Sequence, residues 1–160
     1  MRISFLWVGK TKNSFIKALV LDYLERIRRM VACEVVEAGD PTKRRPLSGA
    51  RLIEAEGEEL ARHLPEQGRL VVLDEKGTQY TSPGFARWLE KEQNQGTRQI
   101  TFVVGGPEGL SPVISGRAHI ILSLGMMTWT HEMCRVLLLE QVYRALCIVR
   151  KVPYHKGGDR

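Results

Sequence analysis

Solidly apolar stretches alternate with amphipathic stretches along the whole chain. The apolar stretches span residues 3–8, 33–37, 69–73, 100–104 and 119–124, and glycine, proline or polar residues bound them as they bound buried strands. Strands that are apolar on both faces are typical of a parallel sheet covered by helices on both sides. The pattern therefore predicts the α/β class, with one domain built as a parallel-sheet α/β/α sandwich.

The segments between the strands have helical periodicity. The first begins at an Asn13-Ser14 cap and forms one apolar stripe at i, i+3 and i+4 spacing, made of Ile16, Leu19, Val20, Tyr23, Leu24 and Ile27. A second helix is predicted after Ser48, although Gly57 is unfavourable inside it. Later helices are predicted from Ser82-Pro83, from Ser111-Pro112 to Ala118, and from about Thr130 to Val149. The segment 74–77 resembles a turn and predicts the end of the third strand.

The last predicted helix is apolar around most of its circumference. Its apolar residues are Met133, Val136, Leu137, Leu138, Leu139, Val142, Tyr143, Ala145, Leu146, Ile148 and Val149. A surface that wide must be buried on two sides, and the sheet of one domain covers one of them. A two-fold homodimer would cover the other, so we expect a second copy of the chain as a partner.

Composition excludes several classes of protein. The 160 residues, 43% of them hydrophobic, suffice for one domain with its own core. No apolar run is long enough to span a membrane, and no cleavable leader is visible, so we expect a cytoplasmic protein without membrane contact. The three cysteines and four histidines are scattered, which argues against a disulfide framework and against a metal site.

The formal net charge of +6 favours a polyanionic partner, because lysine and arginine release counterions from phosphates when they bind. General basicity without a specific partner is an equally good interpretation of the charge alone. Arg144 illustrates the same ambiguity, since it can pair with Glu140 at i, i+4 or contact RNA.

Two glycine-bearing loops follow predicted strands. The Gly105-Gly106 loop lacks the glycine spacing of a dinucleotide-binding fingerprint, and Gly9-Lys10 lacks the first glycine of a P-loop. Ligands nevertheless bind at the carboxyl ends of strands in open α/β sheets. The segment 122–131 is unusually apolar for a loop, which suits an adenine ring or else residues that are simply part of the core.

Several ordered motifs together resemble one family, the SPOUT-superfamily methyltransferases that modify N3 of a pseudouridine in large-subunit ribosomal RNA (the methyltransferase H family). The resemblance spans the whole chain. The motifs are Val8-Gly9-Lys10 with Tyr23 and Arg26, Leu73-Asp74-Glu75-Lys76-Gly77, residues 102–110, Leu122-Ser123-Leu124 with Met127-Thr128 and His131, Arg135-Val136-Leu137, residues 140–145, and Tyr154-His155.

The resemblance implies a single SPOUT domain over 1–160, with a trefoil knot within about 70–150 and a tail over 151–160. It also implies transfer of a methyl group from S-adenosyl-L-methionine to N3 of pseudouridine 1915 in 23S ribosomal RNA, in the large subunit or the assembled ribosome. By position, the cofactor-binding residues are Leu73, Gly105, Gly106, Leu122, Leu124, Gly125, Met126, Met127, Thr128 and Trp129.

The resemblance further implies a homodimer whose active site takes residues from both subunits. The catalytic candidates are His131, Arg144, Tyr154 and His155, and the RNA-binding candidates are Lys10, Arg135, Arg144 and Lys156. A cationic group beside the imide would stabilise the anion formed when N3 loses its proton, whereas a neutral histidine would take that proton, and the sequence leaves this choice open.

The sequence departs from the family pattern at two places. Gly125-Met126 and Thr130 replace residues that are often Ser-Lys and Pro in relatives, and residues 157–160 extend the tail. Two alternatives to the implied function stay open, namely methylation of a different RNA and a ribosome-binding or assembly factor without enzymatic activity.

Overall fold

The computed structural model describes residues 1–156 and contains one five-stranded sheet. The strands are β1 (Arg2–Val8), β2 (Ala32–Ala38), β3 (Arg69–Gln79), β4 (Gln99–Val104) and β5 (Ile120–Ser123). They lie in the order β2-β1-β4-β3-β5, and every pairing is parallel. The predicted parallel α/β architecture is confirmed. The helices are α1 (Ser14–Arg28), α2 (Gly49–Ala61), α3 (Ser82–Asn94), α4 (Pro112–Ser115) and α5 (His131–Val149).

Helices cover both faces of the sheet. Successive side chains of a strand point to opposite faces, so in β1 Phe5 and Trp7 enter the core beneath α1, α3 and α5, while Leu6 and Val8 enter a second core beneath α2 and α4. All four side chains are almost fully buried. Burial on both faces explains why the strands read as continuous apolar runs rather than alternating ones.

Strand β3 does not end where the sequence predicted. It continues through the turn-like residues 74–77 to Gln79, and its pairing with β5 becomes irregular between Leu73 and Thr78. Gly77 permits this, because a Cβ there would lie 2.5 Å from the backbone oxygen of Ile121. The prediction of a terminating turn is wrong, since the glycine serves a close approach of two strands.

The helix starts follow the capping residues closely. The Asn13 side chain accepts hydrogen bonds from the backbone of Phe15 and Ile16, which confirms the predicted cap of α1. Helix α3 begins one residue earlier than predicted, because Thr81 and not Ser82 caps it. Helix α4 is shorter than predicted and ends at Ser115.

The apolar stripe predicted for α1 is only partly correct. Val20, Leu24 and Ile27 are buried, but the Leu19 side chain is 46% exposed. Phe15, one helical turn earlier, is 80% exposed. These two residues form an apolar pair on the outer face of α1, since positions i and i+4 are neighbours on a helix surface.

Helix α5 lies between α1 and α3 on the sheet, and it contacts both. Each of its residues is at least half-buried within the single chain. The expectation that only the sheet would cover α5 was incomplete, because two neighbouring helices flank it. The width of the apolar surface alone therefore does not require a second copy of the chain.

We predict that Gly57→Ala destabilises the fold by about 2 kcal/mol, the usual cost of overpacking a buried site. Gly57 lies inside α2, and a Cβ there would come within 2.5 Å of the Ser111 Cβ. Urea unfolding measures the loss. The matched control is Glu58→Ala at the exposed neighbouring position, and an equal effect of both substitutions would refute the close contact.

Candidate active site

A cavity of about 980 Å³ lies at the carboxyl edge of the sheet. The irregular stretch of β3 from Leu73 to Lys76 and the ends of β4 and β5, with the loops that follow those two strands, form its wall, together with the first residues of α1 and α5. Eight of the predicted cofactor-binding residues line it, namely Leu73, Gly105, Gly106, Leu122, Leu124, Met127, Thr128 and Trp129. The remaining two, Gly125 and Met126, are not among the residues that line the cavity.

The loop after β4 requires its glycines. A Cβ on Gly105 would lie 2.8 Å from the Leu110 Cγ, and a Cβ on Gly106 would clash with the carboxylate oxygens of Glu56 in α2. Gly109 N–H donates back to the Gly106 carbonyl at 3.2 Å, so the loop folds into a tight turn. Helix α2 thus supports the loop from behind, while the opposite side of the loop faces the cavity.

The loop after β5 is ordered by its own backbone and by Ser123. The Ser123 hydroxyl donates to the Gly125 carbonyl at 2.9 Å and accepts from the Gly125 N–H at 3.2 Å. Gly125 has φ +138°, which favours glycine. Met126 and Met127 are 88% and 77% exposed, so the alternative that these methionines belong to the core is wrong. Exposed apolar groups beside a cavity are typical of a binding surface.

Acidic side chains predominate around the cavity. Asp74, Glu75, Glu108 and Glu132 line it, and Lys76 is the one lysine among the lining residues of the described chain. Hydrogen bonds hold several of these carboxylates, as Glu75 accepts from the Thr128 hydroxyl at 2.7 Å. A negative cavity wall in a chain of net charge +6 favours a cationic ligand over a phosphate.

His131 lies on the cavity wall at the first turn of α5. Burial, followed by the nearby positive charge of Arg135, lowers the pKa of its imidazole below the ordinary 6.5. His131 is therefore neutral at pH 7 and able to accept a proton.

Glu56 is a buried carboxyl group behind the cavity. It is 6% exposed, and its Oε2 has no hydrogen-bond partner within residues 1–156. Desolvation, with smaller contributions from the negative charges of Asp40 and Glu108, raises its pKa to about 7. No motif in the sequence indicates Glu56 as a site residue, although its spacing of four residues from both Leu52 and Leu60 places it on the buried face of α2.

Arg135 does not reach the surface, which corrects its prediction as an RNA contact. Its side chain is 1% exposed and donates inward to the Val8 carbonyl at 2.8 Å and to the Thr11 hydroxyl at 3.0 Å. The guanidinium also lies 4.9 Å from the centre of the Trp7 ring.

Because Glu132 accepts from the backbone N–H groups of Lys12 and Asn13, the first turn of α5 fixes the β1–α1 loop in place.

The other candidate catalytic residues form a second cluster, which does not line the cavity. The Arg144 Nε donates to Glu140 at 3.1 Å, and its Nη1 contacts the Nδ1 of His155 at 3.2 Å. The Tyr154 hydroxyl donates to Glu140 at 3.1 Å, and its ring packs edge-on against Tyr143 at 4.8 Å. We call Glu140, Tyr143, Arg144, Tyr154 and His155 the tail cluster.

Contacts constrain two side chains of the tail cluster. A guanidinium only donates, so the Nδ1 of His155 accepts from Arg144. Burial, followed by hydrogen bonding with Tyr23 and the charge of Glu140, raises the pKa of Tyr154. The Tyr154 hydroxyl therefore stays protonated at neutral pH and acts as a donor, not as a base.

The cavity and the tail cluster are far apart along α5. Arg144 follows His131 by thirteen residues, about 20 Å along a helix axis. The structure therefore does not bring His131 together with Arg144, Tyr154 and His155 in one chain. Lys10 and Lys156 are exposed and remain predicted RNA contacts, and the extra tail residues 157–160 lie outside the described part.

Comparison with known proteins identifies the family. The family model described as "Predicted SPOUT methyltransferase" matches residues 1–155. The chain belongs to the SPOUT methyltransferase family. Three relatives are named "Ribosomal RNA large subunit methyltransferase H". The protein from Geobacter sp. (strain M21) is 42% identical over 97% of this chain and 99% of its own length. The proteins from Halothermothrix orenii and Geobacter sulfurreducens are 40% and 36% identical, over 98% and 97% of this chain and 100% and 99% of their own lengths.

Within 1–156 there is no group of three or more His, Cys, Asp or Glu side chains placed to hold a metal ion. Over the same residues, no helix is long and apolar enough to cross a membrane.

We predict that Arg135→Lys lowers the free energy of unfolding by about 2 kcal/mol. Lysine keeps the charge but loses the two-pronged donation to Val8 and Thr11 and the stacking on Trp7. Chemical denaturation measures the change, and Arg117→Lys at an exposed position is the control. Unchanged stability in Arg135→Lys would contradict the structural role and would favour the prediction that Arg135 contacts RNA.

Proposed function

We propose that the protein methylates N3 of a pseudouridine in 23S ribosomal RNA, with S-adenosyl-L-methionine as the methyl donor. The observation on which the proposal rests is the cavity at the carboxyl edge of the sheet in a chain of the SPOUT methyltransferase family. The names of its relatives support ribosomal RNA as the substrate. The pseudouridine at position 1915 is the target that the sequence resemblance favours.

The cavity suits the methyl donor in size and chemistry. Its volume of about 980 Å³ lies within the range of pockets that enclose such ligands. Leu122, Leu124 and Met127 provide an apolar surface for the adenine ring, and the side-chain-free Gly105 and Gly106 leave room for close backbone contact. The acidic wall is complementary to the positive charge of a sulfonium and an ammonium group.

The donor supplies an already activated methyl group, so the protein has to align the acceptor nitrogen and remove its proton. We assign proton acceptance to His131, because it is neutral at pH 7 and lies on the cavity wall. Arg144 is a cation and Tyr154 a protonated donor, with His155 beside them, which suits stabilisation of the imide anion after it has lost its proton.

We infer that the active unit is a homodimer in which the tail cluster of one protomer meets the cavity of its partner. Two observations support this. The tail cluster is about 20 Å from His131 along the helix of its own chain. In addition, Phe15 and Leu19 form an exposed apolar pair on α1, and the same helix face continues to Tyr23 and Arg26, which pack against Tyr143. A two-fold axis beside this face would form two equivalent sites.

Three further points belong to the same proposal. We infer that the chain is threaded as a trefoil knot within about 70–150, and that it acts in the cytoplasm, where ribosomes are assembled. Lys10, Arg144 and Lys156 are the residues that we propose to contact RNA phosphates.

The proposed function predicts methylation of ribosomes that lack the modification. Ribosomes from cells without this protein are incubated with the purified protein and isotope-labelled S-adenosyl-L-methionine, and the digested ribosomal RNA is analysed by mass spectrometry. We expect one labelled methyl group on N3 of a pseudouridine of 23S ribosomal RNA. Label in transfer RNA alone would indicate a different RNA substrate, and binding to ribosomes without donor binding would indicate an assembly factor.

The composite site predicts complementation between two inactive variants. Leu124→Trp fills the cavity, whereas His155→Ala removes a side chain of the tail cluster, and each variant alone should be nearly inactive. Co-expressed subunits that mix randomly regain about a quarter of the wild-type sites, since half of the dimers then have one intact cavity opposite one intact tail. Methyl transfer is the readout, and the isolated mixed dimer should retain about half of the wild-type sites, one of its two.

The complementation experiment needs a control for assembly. Sedimentation and circular dichroism establish that both variants are folded dimers before they are mixed. Activity restored in the mixture supports a site shared between subunits. A mixed dimer as inactive as its parents, with assembly intact, would show that each site is built from one chain.

A further inference from the structure

An enzyme of the proposed function binds two closely related molecules, the methyl donor and the product that remains after methyl transfer. The methyl donor has a positively charged sulfonium, and the product that remains after methyl transfer is an uncharged thioether. Their adenosine, amino and carboxylate groups are the same. Electrostatic interaction with the protein near the sulfur is therefore the main physical difference on which a preference for donor over product can be based.

Glu56 is positioned to contribute to that difference from behind the cavity wall. Its carboxylate packs directly against the backbone of Gly106, and Gly106 lines the cavity. Glu56 is 6% exposed, and its Oε2 has no hydrogen-bond partner in the described chain. A buried carboxyl without a partner interacts with a nearby charge more strongly than an exposed one does, because less water screens it.

No other feature of the fold requires a carboxyl group at position 56. The neighbouring Gly57 is explained by its contact with Ser111, and the remaining buried positions of α2 are leucines. Replacing a buried unpaired acid by an apolar residue would ordinarily increase stability. Packing therefore does not explain why a carboxyl group is buried at position 56. We interpret its presence as evidence for a ligand.

We propose that Glu56 is a specificity-determining residue, whose buried carboxylate behind Gly106 favours the cationic methyl donor over the uncharged product. The inference rests on the proposed function, since it assumes that the cavity holds the donor. Glu108, on the cavity side of the same loop, acts in the same direction. Ionised Glu56 attracts the sulfonium, and the attraction ends when the methyl group has left.

The charges around Glu56 determine its dependence on pH. Asp40, from the segment after β2, and Glu108, from the loop after β4, both face it and disfavour its ionised form. Lys12 and Lys43 lie close to Asp40 and reduce that repulsion. Glu56 changes from neutral to ionised as the pH rises through about 7, so the preference for the donor should increase over the same interval. Burial and the charge of Arg135 lower the pKa of His131 below 6.5, so its ionisation is centred at a lower pH than that of Glu56.

The test compares the dissociation constants of S-adenosyl-L-methionine and S-adenosyl-L-homocysteine by calorimetry between pH 6.5 and 8. We expect the preference of the wild-type protein for the donor to increase about fivefold over this interval, a coupling at the low end of those measured between two binding events. The ratio cancels the titration of protein groups that act equally on both ligands, and the Glu56→Gln variant accounts for the different titration of the two ligands' own amino groups. In Glu56→Gln the ratio should stay constant with pH.

A second readout uses the wild-type protein alone and so does not depend on the folding of a variant. At pH 7, binding of the donor should release protons from Glu56, and binding of the product should release fewer. Titrations in two buffers of different ionisation enthalpy measure this difference. Glu58→Gln, which removes a charge from an exposed position of the same helix, is the matched control and should behave as wild type.

The outcomes separate the two proposals. If both ligands bind and their ratio does not change with pH or with Glu56→Gln, then Glu56 has no part in selecting the donor, while the proposed function stands. If neither ligand binds at any pH, both proposals are overturned. A pH-dependent ratio that persists in Glu56→Gln would assign the effect to another group and contradict the inference.

Discussion

Parallel pairing is the constraint on which the rest of this structure depends. Because all five strands run in the same direction, the stretch of β3 after Leu73 meets the carboxyl ends of β4 and β5 at one edge, and this stretch and the loops after β4 and β5 surround a cavity. Glycine at positions 77, 105 and 106 allows the backbone to approach its neighbours there. Helix α2 supports the central loop through Glu56 and Gly57, so the geometry of the cavity depends on packing outside it.

The sequence predicted those features that depend on local patterns. Continuous apolar runs indicated the parallel sheet, and Asn13 indicated the start of α1, because burial and capping leave direct traces in residue type. The predictions from sequence were wrong where the tertiary environment determines the backbone path or the burial of a side chain. Asp74 to Gly77 has the composition of a turn, yet the strand continues because Gly77 permits a close contact with β5. Leu19 fits the helical stripe, yet it lies outside the core.

The candidate site shows the same division. Eight of the ten residues that the motifs assign to the cofactor line the cavity, but residue type could not reveal that Arg135 points inward to Val8 and Thr11, since a basic residue is usually exposed. The split between His131 and the tail cluster also became visible only in three dimensions. This separation favours the proposed homodimer, in which each active site combines the cavity of one subunit with the tail cluster of the other.

Hydrogen exchange monitored by mass spectrometry, with and without S-adenosyl-L-methionine, tests whether the cavity holds the methyl donor. We expect slower exchange in three separate segments, near 73–77, 104–110 and 122–130, because one ligand touches all three. The segment 62–68 at the opposite edge should exchange at the same rate in both samples. Protection confined to a different region, or no protection at a saturating concentration of the donor, would contradict binding of the donor in this cavity.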